Sequence, residues 1–229
     1  MIIGKGMLAS AFAPAFADAA DVLVFASGVS NSRETRPEAF ARERALLEAA
    51  LPSAARLVYF STCSVEDPAL QDAPYVRHKR ALEALVRERA ERYAIFRLPQ
   101  VVGRTPNPHT LTNFLAQQIR SGQPIQVWTE ARRNLIDVDD VAAIAGWILR
   151  TQAPQQLVAN IACPFSIGVP ELVALFARVL GRPAQTVPVA AGGRYPIDTT
   201  LTETAAQALG IRFDDDYLPQ LIRKYYADA

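Results

Sequence analysis

The feature that most constrains this chain is a regular alternation. Short runs rich in β-branched and aromatic residues are separated by longer stretches with apolar residues at helical spacing. Parallel strands need long crossovers, usually helical, so this pattern predicts an α/β protein with a parallel sheet covered by helices. Ile2-Ile3 is a minimal first strand, and Met7 to Ala17 reads as a helix in which Pro14 removes a backbone donor and predicts a kink. Asp21 to Ala26 is the next strand, followed by a small-residue loop from Ser27 to Ser32. A helix is expected from Pro37 to Leu51, entered through Thr35 and Glu38 at capping-box spacing, with Phe40, Leu47 and Leu51 on one face. Arg56 to Ser61 reads as a strand buried on both sides. Tyr75 to Ala90 reads as a helix with Leu82, Leu85, Val86 and Ala90 as its core stripe, and Tyr93 to Leu98 as another buried strand.

Beyond Val102 the pattern loosens. His109 to Arg120 and Asp139 to Leu149 read as helices, and Pro124 to Trp128, Asn134 to Val138 and Leu157 to Ile161 as extended. Three short helices and one extended piece are expected between 165 and 229. The chain thus divides into a sheet domain, 1–103 with about 134–162, and a small α+β lobe, about 104–133 with 163–229. At 229 residues and 50% apolar composition it can bury a full core. A net charge of +1 implies neither a nucleic-acid groove nor a membrane surface as partner. Two histidines, His78 and His109, cannot build a His-rich metal site, so no metal is expected. Two cysteines, and an opening Met1-Ile2-Ile3-Gly4 too short for a signal core, point to a reducing cytoplasm.

Three short motifs carry chemistry. Gly4-Lys5-Gly6-Met7-Leu8-Ala9 fits G-x-G-x-x-G/A between a strand and a helix. The glycines permit a tight turn, and the helix N-terminus offers unpaired amides to a pyrophosphate. Alone, it also fits any βα corner that contains two glycines. Tyr75-Val76-Arg77-His78-Lys79 is Y-x-x-x-K, which places a phenol and an ammonium on one helix face. A free phenol ionises near pH 10 (about 10 for an unperturbed Tyr), and a neighbouring ammonium favours the phenolate. The same spacing also suits an ordinary surface pair. Ser61-Thr62-Cys63-Ser64 falls where a buried strand ends, the end at which open parallel sheets hold ligands; its hydroxyls equally suit a capped turn.

In this order, the three motifs resemble the NAD-dependent epimerase/dehydratase family, extended short-chain dehydrogenases that modify nucleotide-linked sugars. The resemblance spans nearly the whole chain. Phe96-Arg97-Leu98-Pro99-Gln100-Val101-Val102-Gly103 looks like the family's strand and loop after the catalytic helix. Arg133-Asn134-Leu135-Ile136-Asp137-Val138-Asp139-Asp140-Val141 resembles its R-D-F-x-x-V-x-D segment, and Pro170-Glu171-Leu172 and Arg194-Tyr195-Pro196-Ile197-Asp198 resemble the ends of its substrate lobe. The resemblance implies Thr62 as hydroxyl partner, Tyr75 as general acid/base, and Lys79 as the residue that holds the nicotinamide ribose and tunes Tyr75. It implies NAD or NADP against Gly4, Gly6, Met7, Leu8, Ala26, Ser27, Gly28, Tyr75, Lys79 and Pro99. Arg133 and Arg194 are candidates for the phosphates of a nucleotide sugar. A homodimer through helices 37–51 and 75–90, and a place in polysaccharide biosynthesis, are further implications.

The chain departs from the family in two ways. Between the first helix and Asp21 there is no room for the family's second and third strands, so a shortened Rossmann-like doubly wound sheet is expected with Ile2-Ile3 at its edge. Much of the wall around the adenosine then disappears, and NAD cannot be told from NADP. The family's 4,6-dehydratases follow the catalytic Thr with an Asp-Glu pair, where this chain has Cys63 and Ser64, which disfavours dehydration. The expected activity is an NAD(P)-dependent oxidoreductase or epimerase of a nucleotide sugar, with a lean toward ketoreductase because a trimmed adenosine site suits cofactor exchange. The alternative is a non-catalytic dinucleotide- or sugar-nucleotide-binding module that partners a complete homologue.

Overall fold

The structure, a computed structural model, describes residues 1–16 and 21–227. In chain order its elements are β1 (Ile2–Ile3), α1 (Met7–Phe16), β2 (Leu23–Phe25), α2 (Pro37–Ala50), β3 (Leu57–Thr62), α3 (Pro74–Arg89), β4 (Tyr93–Leu98) and β5 (Gln100–Val102). They continue with α4 (Leu111–Ser121), β6 (Ile125–Trp128), β7 (Arg132–Arg133), β8 (Leu135–Asp137), α5 (Val138–Thr151) and β9 (Gln156–Asn160). The last are β10 (Ile167–Gly168), α6 (Val169–Leu180), β11 (Thr186–Val189), α7 (Thr200–Leu209) and α8 (Tyr217–Tyr226).

The main sheet is parallel throughout, in the order β1-β2-β3-β4-β9. Among the described residues β1 is its edge, as the missing strands require. Ile3, Phe25, Tyr59, Ile95 and Val158 are in register across all five strands. Successive residues of a strand face opposite sides, so this row and its neighbours point one way and Val24, Val58 and Ala94 the other. The first set packs on Leu47 and Ala50 of α2 and on Leu82, Leu85 and Val86 of α3. The second packs on Phe12 and Phe16 of α1 and on Val141, Ile144, Ala145 and Ile148 of α5. Helices on both faces explain why β3 is buried at every position.

A second core gathers α4, α6 and α8 around the parallel pair β6-β11 and the antiparallel pair β7-β10. The parallel pair β5-β8 leads into and out of it. The expected boundary put everything after 163 in the smaller lobe. Yet α7 packs on α5 and β9, and its Ala205 joins the core of the main sheet. Asn134 ties the crossing point together: its amide donates to the carbonyls of Cys163 (2.7 Å) and Phe165 (3.0 Å) and accepts from the Cys163 amide (3.0 Å).

Several ends differ from the sequence reading. The expected capping box of Thr35 and Glu38 does not form. Arg36 is the N-cap of α2 and gives no side-chain cap, while the Glu34 carboxylate accepts the amides of Thr35 and Arg36, both at 3.0 Å. Pro37 at the first helical position has no amide to cap, and Arg36 closes on Glu34 by two side-chain hydrogen bonds. The strand expected over Asp21 to Ala26 contracts to β2, and α2 ends at Ala50, with Leu51 opening a short 3-10 turn. Ala17, expected to end the first helix, lies outside the described residues. Among the described residues no helix is long and apolar enough to cross a membrane.

Candidate functional site

The site lies at the carboxyl ends of β1, β2 and β3. At the first corner Gly4 has φ +134°, and a Cβ there would fall 2.4 Å from the Ala26 carbonyl oxygen. Only glycine lets this turn lie against the end of β2, where the Ala26 amide donates to the Ile3 carbonyl at 2.7 Å. Gly6 differs: a Cβ there would meet nothing within 4 Å. Its missing side chain is not needed for internal packing, and the space above it adjoins the first turn of α1, at Met7 and Leu8, where amides have no intrahelical acceptor. Met7 also packs toward the far side of the cleft, because its sulfur is 2.6 Å from where a Cβ on Gly103 would stand. This corner fits a pyrophosphate. Pro99 occupies the bend between β4 and β5.

Thr62 is the last residue of β3, and its hydroxyl accepts the Ser64 amide at 3.2 Å. Tyr75, in the first turn of α3, faces the same Thr62 hydroxyl, which favours its phenolate. The sheet end and the helix start thus bring together the two hydroxyls that the sequence reading paired. One turn on, Lys79 places its Nζ 5.9 Å from the centre of the Tyr75 ring. Burial pushes the Tyr75 phenol above its ordinary value; Lys79 opposes this and Glu43 adds to it.

The ammonium of Lys79 is directed inward. It donates to Glu43 Oε1 (2.8 Å), to the Tyr59 hydroxyl (3.2 Å) and to the Phe60 carbonyl (3.2 Å). An ammonium has three N–H bonds, so holding a ribose hydroxyl would require exchanging one of these. Burial alone would lower the Lys79 pKa, but Tyr59, Tyr75 and Glu43 outweigh it and raise the value. Gly28 lies over the pair, where a Cβ would stand 3.0 Å from both Glu43 Oε1 and Lys79 Nζ. Ser27 and Gly28 therefore sit between the glycine turn and α3.

Sequence reasoning missed Glu43, Tyr59, His78 and Tyr195. Glu43 comes from α2, His78 from α3 and Tyr59 from β3, and all three converge only when both helices pack on one face of the sheet. Their one sequence signal is a charged residue, Glu43, among the apolar positions of α2. Tyr195 reaches across from the smaller lobe toward Ser64, and burial raises its pKa to about 12. Burial also drives the Cys63 thiol well above its ordinary range, so it supplies no charge at neutral pH.

The two candidate phosphate ligands are not placed side by side. Arg133 on β7 is half-buried, burial lowers its pKa, and Tyr195, Asp67 and Arg33 are its electrostatic neighbours. Arg194 instead lines a cavity of about 470 Å³ with Arg132, Glu130 and Glu171. Neighbouring residues of a strand point to opposite faces, which is why Arg132 and Arg133 separate in this way.

The chain matches the NAD dependent epimerase/dehydratase family over residues 4–162. No curated protein matches it in sequence. Among solved structures it resembles a UDP-glucose 4-epimerase from Thermus thermophilus in complex with NAD, at 16% identity and a TM-score of 0.68, over 91% of this chain and 78% of that one. A UDP-glucuronic acid 4-epimerase from Bacillus cereus, in complex with UDP-glucuronic acid and NAD, is 18% identical with a TM-score of 0.70, over 90% and 74%. A dTDP-glucose 4,6-dehydratase from Streptomyces venezuelae with NAD bound is 18% identical with a TM-score of 0.69, over 89% and 72%. These likenesses establish a Rossmann-like fold.

Proposed function

Because this chain belongs to the NAD-dependent epimerase/dehydratase family, we propose that it is an NAD(P)-dependent oxidoreductase of a nucleotide-linked sugar, working as a ketoreductase. The observation that carries the reading is the convergence of Thr62, at the end of β3, with Tyr75 and Lys79 of α3, beside a glycine turn whose open side suits a pyrophosphate. Family membership supports the dinucleotide, and the epimerases and dehydratase of similar fold support the nucleotide sugar.

A bound nicotinamide supplies or accepts a hydride at a sugar carbon. The chain's own residues do the rest. Tyr75 holds a proton at its phenol oxygen and passes it to the sugar oxygen as that oxygen gains charge. Thr62, fixed by the Ser64 amide, hydrogen-bonds the same oxygen and keeps it within reach of Tyr75. Gly4, Gly6 and the first amides of α1 bind the pyrophosphate. Arg133 and Arg194 bind charge on the nucleotide sugar, Arg133 beside Tyr195 and Arg194 in the adjoining cavity. Dehydration is disfavoured, because buried Cys63 and the uncharged Ser64 stand where a carboxylate pair is needed.

A binding module without turnover is the second reading, favoured by the inward, fully used ammonium of Lys79. Loss of absorbance at 340 nm from NADH or NADPH, with a panel of UDP-, GDP- and dTDP-linked 4-keto sugars, separates the two. The ketoreductase reading predicts turnover that Tyr75→Phe lowers at least about a hundredfold, the usual contribution of a positioned acid. Turnover unchanged by Tyr75→Phe would refute the mechanism, and dinucleotide binding without any turnover would favour the module.

A further inference from the structure

Glu43 is a carboxylate with no exposed surface, in a part of α2 that otherwise packs on the sheet. Its two oxygens accept four hydrogen bonds: from the Val29 amide (2.8 Å), the Tyr59 hydroxyl (3.1 Å), His78 Nε2 (3.0 Å) and Lys79 Nζ (2.8 Å). A carboxylate offers about four acceptor sites, so this one is saturated. Lys79 is saturated in turn, and the side chains of the pair are 0% and 4% exposed. Ionised, they form a neutral unit sealed by α2, β3 and α3. Phe40 stacks on the His78 ring at 4.6 Å and closes the outer side.

We propose that Glu43 is a positioning residue that neutralises Lys79 and so keeps Tyr75 as a proton-carrying phenol, committing the site to reduction of a ketone. The proposal rests on the ketoreductase reading above and adds a direction to it. The titratable and charged groups around Tyr75 and Lys79 are Glu43 from α2, Tyr59 from β3, and His78 on α3, with the Thr62 hydroxyl beside the phenol. The Lys79 charge, 5.9 Å from the Tyr75 ring, acts on Tyr75 together with an opposite charge 2.8 Å from it. Nearby opposite charges largely cancel at a third group, and burial then favours the neutral phenol. In the reaction, the ketone carbon receives a hydride from the reduced dinucleotide while its C=O π bond breaks. The ketone oxygen takes the phenolic proton, the electron pair of the broken O–H bond stays on Tyr75, and solvent water restores the proton.

The test reads Tyr75 itself. Protein carrying tyrosine labelled with carbon-13 at Cζ is titrated by NMR, and the Tyr75 signal is assigned by its absence in Tyr75→Phe. The proposal predicts that wild-type Tyr75 stays a phenol through about pH 10, the ordinary tyrosine value. In Glu43→Gln its midpoint falls by about one pH unit or more, a tenfold loss of proton affinity. A wild-type midpoint below that ordinary value, or a smaller fall in Glu43→Gln, overturns the proposal. Should Glu43→Gln not fold, the double variant Glu43→Gln/Lys79→Gln removes both charges together. The proposal predicts a Tyr75 titration there like wild type. A rise of about one unit or more would show the Lys79 charge acting on Tyr75 in the native protein, and would overturn it. None of these readings needs cofactor or sugar. If they hold and no keto sugar is reduced, the ketoreductase reading fails while the role of Glu43 stands.

Discussion

Lys79→Met removes the ammonium from the Glu43 pair while roughly preserving its volume, leaving a carboxylate with no exposed surface and no lysine charge beside it. Removing one partner of a buried ion pair costs about 3–5 kcal/mol. The Val29 amide, the Tyr59 hydroxyl and His78 still donate to Glu43, which places the loss near the lower end. A second route agrees. Burial would raise the Glu43 pKa, but Lys79, His78 and the Val29 amide outweigh it and hold it at about 2 against an ordinary 4.5. At about 1.4 kcal/mol per unit, that difference is worth about 3 kcal/mol at neutral pH. Urea unfolding followed by circular dichroism should therefore show Lys79→Met less stable by about 3 kcal/mol, a fall in Tm on the order of 6–12 °C for a chain of this size. Adding Glu43→Gln to Lys79→Met should recover about 2 kcal/mol, since a neutral amide tolerates burial better than an unpaired charge. A loss under about 1 kcal/mol in Lys79→Met, with no recovery in the double variant, would refute the buried pair.

Two more outcomes follow from the same geometry. The Glu43 contribution is present above its unfolded value of 4.5 and is lost as pH falls through about 2, so the wild-type advantage over Glu43→Gln should shrink between those values; urea unfolding at pH 5, 4 and 3 reads it. Lys79, with its pKa raised, contributes fully below 10.5 and adds no slope in that acid window. Asn134→Ala deletes its hydrogen bonds to Cys163, Phe165 and Ser166 at the crossing between the two cores and should cost about 2–3 kcal/mol in the same unfolding assay, because it strands the buried Cys163 amide and carbonyl.

The sheet was legible in the sequence because each strand is a continuous apolar run between turn residues, and parallel strands buried on both faces have that composition. The short interval before Asp21 also foretold the edge position of Ile2-Ile3, since no strand can be fitted into it. The capping box was not legible: Thr35 and Glu38 have the right spacing, but Glu34 takes the Thr35 amide that Glu38 would cap, together with the Arg36 amide, and pairs with the Arg36 side chain. Gly4 and Gly6 look equivalent in a motif and are not, since one is held by the end of β2 and the other faces open space. The Glu43 network was hidden for a different reason. Its members stand at 43, 59, 78 and 79 and meet only through the packing of two helices on one sheet face, which no local spacing encodes. Arg133 and Arg194 were both candidates for the phosphates of a nucleotide sugar; β7 turns Arg133 toward Tyr195 and leaves Arg132 with Arg194, an arrangement no local spacing encodes.

The central claim, a dinucleotide held at the first glycine turn, is tested most directly by calorimetric titration of NADH and NADPH into wild-type protein and Gly6→Ala. A Cβ at Gly6 meets nothing within 4 Å, so Gly6→Ala should fold and melt like wild type, unlike Gly4→Ala, whose Cβ would strike the Ala26 carbonyl at 2.4 Å. The account predicts that wild type binds one of the two dinucleotides and that Gly6→Ala weakens this at least about tenfold, as a methyl group blocks close approach of the pyrophosphate. Binding of equal strength in a well-folded Gly6→Ala, or no binding of either dinucleotide by wild type, would contradict it.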